Sequence, residues 1–244
     1  MTDAELAALL AGRAAQLLLD LRSAAREEGA ALGVAGDQAA NALIVGELAR
    51  HRPGDAVLSE ETPDTLARLQ RDRVWVVDPL DGTREYSAGR DDFAVHVALA
   101  VDREPAVGAV ALPARGLVLR SDMPPPLAAV RRPPRLVVSR SRAPALSNAL
   151  AAALGAELLT LGSAGAKAMA VLLGEAEIYY HCGGQQEWDN CAPAAVALAA
   201  GLHASRADGS PLRYNGVDTS VPDLLVAVPG LAPAALRALA ELGG

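Results

Sequence analysis

An apolar run is followed directly by two aspartates in the ten residues Val74-Trp75-Val76-Val77-Asp78-Pro79-Leu80-Asp81-Gly82-Thr83. The apolar run predicts a buried strand. Because proline cannot donate to a central strand, Pro79 predicts a tight turn that brings the Asp78 and Asp81 Cα atoms within roughly 7 Å of each other. The same turn leaves the Leu80 carbonyl free. Hard divalent cations bind such a mixture of carboxylate and carbonyl oxygens, so this stretch predicts a metal site at a strand end.

The end of the same stretch indicates a phosphate ligand. Gly82 lets the backbone approach a ligand closely. The Gly82 and Thr83 amides can then contact phosphate oxygens, and the Thr83 hydroxyl can orient a water molecule. A solvated acidic turn is the alternative interpretation. A calcium loop of the EF-hand type is excluded, because it needs acids at alternate positions, where Leu80 and Gly82 stand.

Two further acidic positions can complete a cluster. Glu60 and Glu61 follow a short apolar run, with a solvated strand end as the alternative. Asp189 precedes a predicted helix, where a plain N-cap is the alternative, and Pro193 is tolerated in the first turn of that helix. One glutamate together with Asp78, Asp81 and Asp189 would form a two-metal cluster that binds both an attacking water and phosphoryl oxygens.

Lys167 is the only lysine of the chain, and it stands near the start of a predicted helix. A cation at that place opposes the helix dipole, so the position favours a bound anion. Ser163 and Lys167 therefore predict a second phosphate site, against a solvated helix face as the alternative. Asp37 is interpreted as a helix cap or a catalytic acid. His181 is assigned a packing or surface role, with a position at the border of the predicted site as the alternative, and His96 is assigned an ordinary structural role.

Composition and charge limit the classes of partner. The 244 residues are 51% hydrophobic, and 29 acidic against 22 basic side chains give a net charge of −7. A polymeric nucleic acid is therefore excluded as a partner. No leader peptide is recognised, and no apolar stretch approaches the roughly 20 residues that span a bilayer, which favours a cytoplasmic protein without membrane contact. Composition leaves the oligomeric state open, with a homodimer among the alternatives.

Periodicity predicts alternating helices and strands. Helices are predicted at 6–21, 37–50, 143–154, 163–173 and 192–200, with a short terminal helix, and strands at 56–58, 74–77, 93–101, 107–112, 135–139, 176–180 and 224–228. The prolines between residues 121 and 135 exclude regular structure there. We therefore predict an N-terminal α+β subdomain at 1–122, a connector at 123–134 and a C-terminal α/β subdomain at 135–244.

Three motifs together resemble the signatures of the inositol monophosphatase superfamily of lithium-sensitive phosphatases: Ser59-Glu60-Glu61, Asp78-Pro79-Leu80-Asp81-Gly82-Thr83 and Trp188-Asp189-Asn190-Cys191-Ala192-Pro193. Their order and spacing match as well. Within the superfamily, three more segments resemble the CysQ-type 3′(2′),5′-bisphosphate nucleotidases: Arg84-Glu85-Tyr86, Gly162-Ser163-Ala164-Gly165-Ala166-Lys167 and Asp208-Gly209-Ser210-Pro211-Leu212-Arg213-Tyr214.

The resemblance implies a layered αβαβα sandwich and two or three Mg2+ ions per active site. The implied metal ligands are Glu60, Asp78, the Leu80 carbonyl, Asp81 and Asp189. The implied catalytic residues are Glu60, Thr83 and Asp37. The implied substrate contacts are Leu80, Asp81, Gly82, Thr83, Arg84, Ser163, Lys167 and Asp189.

The implied reaction removes the 3′-phosphate of 3′-phosphoadenosine 5′-phosphate, or of its 5′-phosphosulfate, in sulfur assimilation. A small phosphorylated molecule is thus the expected partner. Two alternatives stay open. The first is a sister phosphatase acting on inositol 1-phosphate or fructose 1,6-bisphosphate. The second is a catalytically silent regulator that binds metal or phosphate.

Overall fold

A computed structural model describes residues 1–24, 29–140 and 145–243. The helices are α1 Asp3–Ala24, α2 Ala30–His51, α3 Thr83–Ser87, α4 Ala145–Leu154, α5 Ala164–Leu172, α6 Glu187–Ala199 and α7 Ala232–Leu242. The strands are β1 Ala56–Ser59, β2 Arg73–Asp81, β3 Ala94–Val101, β4 Glu104–Leu112, β5 Leu117–Arg120, β6 Arg135–Ser139, β7 Glu157–Leu161, β8 Ile178–Gln186, β9 His203–Ser205 and β10 Ser220–Ala227.

The strands form two mixed sheets of five strands each. The first has the order β1-β2-β3-β4-β5, in which only β1 and β2 are parallel. The second has the order β7-β6-β8-β10-β9, in which β6 is parallel to both β7 and β8, while β10 runs antiparallel to its two neighbours. Strands β5, β7 and β9 were not predicted from the sequence.

The elements stack in five layers, which confirms the predicted αβαβα sandwich. Helices α1 and α2 cover one face of the first sheet, and α5 and α6 lie between the two sheets. Helices α4 and α7 cover the outer face of the second sheet. Along β2 the side chains alternate between layers: Trp75 and Val77 face α1 and α2, whereas Val74 and Val76 face the inner helices. Among the described residues, no helix has the length and apolar character to cross a membrane.

The proline-rich connector has no helix or strand between residues 121 and 134, as predicted. The central core nevertheless includes residues from both sides of it, such as Val110 of β4 and Val196 of α6. The subdomain boundaries at residues 122 and 135 stay a prediction.

The expected tight turn at Pro79 is wrong, because β2 continues to Asp81. The pairing with β3 instead shifts between Asp78 and Asp81. Proline has no amide hydrogen to donate, so an interruption of the ladder accommodates it without ending the strand. Gly82 follows with φ 90°, a left-handed conformation that glycine adopts without steric cost, and α3 begins directly after it.

Helices α2 and α6 begin at least five residues earlier than predicted. Helix α2 begins at Ala30, so Asp37 lies inside the helix and is not its cap. Alanine and leucine in 30–36 favour helix, and this outweighs the two glycines in the segment. Helix α6 begins at Glu187, which places Asp189 at its third position and Pro193 in its interior. The start predicted for α4, at residues 143 and 144, lies outside the described residues.

Candidate active site

Three carboxylates converge where the two halves of the chain meet. One oxygen each from Asp78, Asp81 and Asp189 lies within 4.8 Å of the others. Asp78 and Asp81 come from the end of β2, and Asp189 comes from the first turn of α6. Asp78 is only 1% exposed and Asp81 7%. Buried carboxylates this close repel one another strongly, so the group has the donor set of a cation site.

Asp81 also contacts the start of α5. Its Oδ1 accepts a hydrogen bond from the Ala164 amide at 3.1 Å, and its Oδ2 accepts one from the Gly165 amide at 2.6 Å. Burial alone would raise the pKa of Asp81. The neighbouring His96 and Lys167, together with the amide donors, nevertheless lower it to about 2. Asp81 is therefore a stable anion at neutral pH.

His96 is a site residue that the sequence analysis missed. It is fully buried on β3, opposite Asp78 in the strand register. Its Nδ1 lies 3.1 Å from the Trp188 carbonyl, so this nitrogen must carry a proton, and its Nε2 lies 3.2 Å from Asp81 Oδ2. Burial opposes the charged imidazole, but Asp81 raises the pKa of His96. The sequence could have identified His96 only if the predicted strands β2 and β3 had been paired antiparallel, because that pairing places His96 opposite Asp78.

Asp189 combines capping with a position in the cluster. Its Oδ2 accepts a hydrogen bond from the Gln186 amide at 2.6 Å, completing a reciprocal capping box in which Gln186, not Asp189, is the N-cap. Burial, followed by the charge of Asp81, raises the pKa of Asp189 to about 6. The two interpretations of Asp189, cap and cluster member, are thus compatible.

Asp37 and Thr83 form the side of the cluster nearest α2. The Thr83 hydroxyl lies 3.0 Å from Asp37 Oδ2 and 3.0 Å from the Leu80 carbonyl oxygen, yet it has only one proton to donate. Asp37 Oδ1 is buried without a hydrogen-bond partner among the described residues. Burial, together with the neighbouring Glu61 and Asp81 carboxylates, raises the pKa of Asp37 to about 7.

Glu60 lies at the rim of this group. The residue keeps solvent exposure, and it is not among the three acids that lie within 4.8 Å of one another. Partial burial of its carboxyl group, with the Asp37 and Asp189 carboxylates nearby, raises the pKa of Glu60 to about 7. The predicted acids therefore interact electrostatically, and the oxygens of three of them lie within 4.8 Å of one another. These five acids are Asp37, Glu60, Asp78, Asp81 and Asp189.

A protein carboxylate lies at the start of α5, and the second phosphate site predicted from Ser163 and Lys167 stays a prediction. The first amides of α5 donate to Asp81, so the helix start already has an anion. The Ser163 hydroxyl caps α5 by accepting from the Ala166 amide at 2.8 Å. Lys167 is buried, and its Nζ donates to the Gly162 and Ser163 carbonyls at 2.5 and 2.6 Å. Burial lowers the pKa of Lys167, although Asp81 and Glu85 oppose this.

An open polar cavity of about 230 Å3 lies against these residues. Asp81, Asp189, Gly82, Thr83, Arg84, Ser163, Lys167 and His181 are among its lining residues. His181 thus borders the site, which was the alternative interpretation of this residue and not the assigned one. Arg84 is exposed, and its guanidinium has no hydrogen bond or ion pair among residues 1–24, 29–140 and 145–243, although its carbonyl accepts from the Ala88 amide. It is therefore available to an anionic ligand without breaking an internal contact.

Comparison with known proteins places this geometry in a family context. The model of the inositol monophosphatase family matches residues 3–122 and 129–242. A 3′-phosphoadenosine 5′-phosphate phosphatase of Mycobacterium leprae is 50% identical over 257 aligned positions, covering 99% of this chain and 95% of the relative. The 3′(2′),5′-bisphosphate nucleotidase CysQ of Escherichia coli K12 is 34% identical, covering 74% of this chain and 78% of the relative.

A solved structure gives the same result. CysQ from Bacteroides thetaiotaomicron, described as a bacterial member of the inositol monophosphatase family, superposes with a TM-score of 0.83 at 27% identity. The match covers 93% of this chain and 97% of the CysQ chain. With its five layers and its convergent acids, the chain belongs to the inositol monophosphatase family.

Proposed function

We propose that this chain is a metal-dependent phosphomonoesterase that removes the 3′-phosphate of 3′-phosphoadenosine 5′-phosphate and leaves AMP. The observation that carries the proposal is the convergence of Asp78, Asp81 and Asp189 beside an open polar cavity. The similarity to the mycobacterial phosphatase supports the choice of substrate. The 5′-phosphosulfate of the same nucleotide is a second substrate within this proposal, and sulfur assimilation is the proposed context.

The residues fit a divalent cation. Asp78 and Asp189 have raised pKa values, caused first by burial and then by the other acids, so their negative charge lacks compensation. Mg2+ prefers carboxylate, carbonyl and water oxygens. We propose Glu60, Asp78, the Leu80 carbonyl, Asp81 and Asp189 as ligands of two or three Mg2+ ions. When bound, such ions neutralise phosphoryl charge and activate water for attack.

Thr83 is proposed to orient the nucleophile. Its single proton goes to Asp37 or to the Leu80 carbonyl, so its oxygen can accept a hydrogen bond from an attacking water. Asp37 and Glu60, with pKa values of about 7, are suited to take up a proton near neutral pH. The Gly82 and Thr83 amides would bind the phosphoryl oxygens as their negative charge increases.

Specificity for a nucleotide with two phosphates is proposed to come from the basic side of the cavity. Arg84 and Lys167 line it, and Ser163 is a further lining residue. Lys167 already donates to two carbonyls, so it has one remaining proton for a ligand. The exposed Arg84 is the stronger candidate for the second phosphate, because its guanidinium can make two parallel hydrogen bonds to it.

The test is phosphate release measured with 3′-phosphoadenosine 5′-phosphate, inositol 1-phosphate and fructose 1,6-bisphosphate side by side, with Mg2+ and with a chelator. We expect Mg2+-dependent release with a strong preference for the nucleotide. Preference for either sugar phosphate would retain the chemistry and reject the substrate. Absence of release from all three would reject the enzymatic proposal and favour a metal-binding or phosphate-binding regulator.

A cytoplasmic location and a homodimer are further parts of the proposal. Cys182 and Cys191 are free thiols, which fits a reducing compartment. Cell fractionation tests the location, and light scattering after size-exclusion chromatography tests the dimer.

A further inference from the structure

Two buried charged side chains contact the same short loop from opposite sides. Arg68 and Glu187 are each only 2% exposed, and both bind residues 215–216. No ion pair joins them directly among the described residues. Burying an arginine and a glutamate is costly unless their hydrogen bonds are satisfied. The hydrogen bonds of this loop therefore compensate the free-energy cost of burying both charged side chains.

Arg68 contacts the loop from the side of the N-terminal half. Its Nη1 donates to Asn215 Oδ1 and to the Gly216 carbonyl, both at 2.8 Å, and its other nitrogens donate to Asp64 Oδ2. Asn215 Nδ2 donates back to the Arg68 carbonyl at 3.1 Å. Arg68 lies in the short 3-10 helix Ala67–Gln70, in the segment that follows Glu60 and leads into β2.

Glu187 contacts the loop from the side of α6. Its two carboxylate oxygens accept hydrogen bonds from the Asn215 and Gly216 amides, both at 2.7 Å. Asn215 has φ 59°, a left-handed conformation that non-glycine residues adopt infrequently. The contacts from both sides keep it there. The loop is thus fixed relative to α6 and to the segment after Glu60.

This arrangement connects the two halves of the metal site. Glu187 is the first residue of α6, and Asp189 stands two positions later in the same helical turn. The position of Asp189 against Asp78 and Asp81 therefore depends on where the first turn of α6 lies. Glu187 fixes this turn through a loop that Arg68 attaches to the other half of the chain.

We propose that Glu187 is a positioning residue for the metal site, and that Arg68 and Asn215 complete the connection through which it acts. The inference rests on the proposed function, because it assigns Asp189 to the metal ligands. Glu187 itself contacts neither substrate nor metal. Loosening its contacts should move Asp189 away from the other two carboxylates and weaken cation binding more than it weakens the fold.

The test compares Glu187→Gln with Glu177→Gln. The glutamine keeps the shape of the side chain, but its NH2 group replaces one of the two accepting oxygens. This group would face a backbone N–H, so two donors would meet and one hydrogen bond would be lost. Glu177 is a matched control: it is 1% exposed and accepts from the Arg131 and Arg135 amides. It precedes β8 at the end opposite α6, about 30 Å away for a strand of that length.

Mg2+ binding is measured by titration calorimetry on the full chain, alongside the Mg2+ dependence of phosphate release and chemical unfolding in chelator. For Glu187→Gln we expect at least about a tenfold weaker Mg2+ affinity, with a smaller change of kcat at saturating Mg2+. For Glu177→Gln we expect a comparable loss of stability with unchanged Mg2+ affinity. Unchanged affinity in Glu187→Gln, or an equal loss in both variants, would overturn the inference.

A second variant covers the case in which Glu187→Gln does not fold. Asn215→Gly keeps the positive φ and the amide donors to Glu187, but it removes both side-chain hydrogen bonds to Arg68. We expect it to weaken Mg2+ binding in the same direction, and unchanged affinity would again reject the inference. If the unmodified protein binds no Mg2+, the proposed function fails first, and the two failures are thereby distinguished.

Discussion

Asp81 has two tasks at once: it belongs to the acidic cluster, and it accepts the first amides of α5. Removing its charge by Asp81→Asn should therefore affect both catalysis and structure. We expect kcat/KM for the nucleotide to fall at least about 100-fold, because the variant loses a charged ligand of the cations that would neutralise phosphoryl charge. Steady-state kinetics at saturating Mg2+ measure this.

Asp92→Asn is the control for that prediction. Asp92 also accepts a hydrogen bond near α5, from the Gly162 amide at 2.7 Å, but it is not one of the three clustered carboxylates. We expect its replacement to lower stability while kcat/KM changes less than about tenfold. Equal loss of activity in both variants would show that amide capping, and not the charge of the cluster, controls the rate.

Arg84 gives the cleanest test of substrate choice, because it lines the cavity and its guanidinium has no partner among the described residues. Arg84→Ala should raise KM for 3′-phosphoadenosine 5′-phosphate by about 10- to 100-fold, which corresponds to a lost charge-assisted hydrogen bond. Hydrolysis of a nucleoside 3′-monophosphate should change little. The exposed Arg71→Ala serves as the control for general loss of positive charge, and equal effects on both substrates would contradict the assignment.

The cluster also predicts how metal-free stability depends on pH. The pKa values of Asp37 and Glu60 are raised to about 7 in the folded state, and that of Asp78 is raised as well, with burial as the first cause each time. Unfolded carboxyls titrate near pH 4. The folded protein therefore binds more protons between about pH 4 and 7, and its free energy of unfolding falls as the pH rises through this window.

Denaturant unfolding in chelator measures this dependence. Between pH 5 and 8 we expect a loss of about 2 kcal/mol, contributed by the buried Asp37 and Asp78, because solvent screens the exposed Glu60 and a tenfold change in acid dissociation corresponds to about 1.4 kcal/mol. The low pKa of Asp81 acts in the opposite direction, but below this window. Asp78→Asn should flatten the curve, and saturating Mg2+ should reduce the loss. A rise in stability over the same range would contradict the assignment.

At the scale of elements, the close packing of α5 on β3 leads to a further prediction. A Cβ atom at Gly165 would lie 2.2 Å from His96 Nε2 and 3.0 Å from Ala94 Cβ. Gly165→Ala must therefore displace α5 or the imidazole, and with it the amides that bind Asp81. We expect a loss of roughly 1–3 kcal/mol in unfolding free energy and a large loss of activity.

Gly46→Ala is its counterpart in α2. A Cβ atom at Gly46 meets nothing within 4 Å, so this change should stabilise the protein by roughly 0.5–1 kcal/mol through helix propensity alone. Thermal and denaturant unfolding of both variants give the comparison. Similar effects at the two glycines would show that the contact with His96 does not restrict α5.

The elements that the sequence predicted well are those with a clear apolar period. Helix α1, strands β2 to β4 and strand β6 lie close to their expected positions, because one face or both of each element is buried. The errors fall where a local rule competes with packing. Pro79 suggested a turn but is accommodated by a shifted strand register, and a cap-like Asp37 lies inside a longer helix.

The acidic site shows the same limit of local sequence patterns. The motifs predicted that Asp78, Asp81 and Asp189 lie together, because acids at a strand end and near a helix start can be recognised from neighbouring residues in the sequence. His96 could not be found from its own neighbours along the chain. Its partners are Trp188 and Asp81, which only strand pairing and the layer order bring next to it. For the same reason, the sequence did not reveal that Asp81 accepts the first amides of α5.

At the scale of the whole molecule, the inner helices join the two sheets into one core. Helices α5 and α6 follow the connector in sequence, yet they pack on β2, β3 and β4, which precede it. The cluster has the same origin, since two of its acids precede the connector and one follows it. Metal binding at these acids should therefore stabilise the contact between the two halves as well as the site itself.

The connector at residues 123–134 contributes no helix or strand to this core. The two halves should consequently stay together after the covalent link between them is cut. If a specific protease site is inserted into the connector, the folded enzyme can be nicked and examined as a two-chain assembly. Such a split enzyme should keep its activity in Mg2+ and dissociate more readily in chelator, so that reassembly of its two pieces would report on the cation directly.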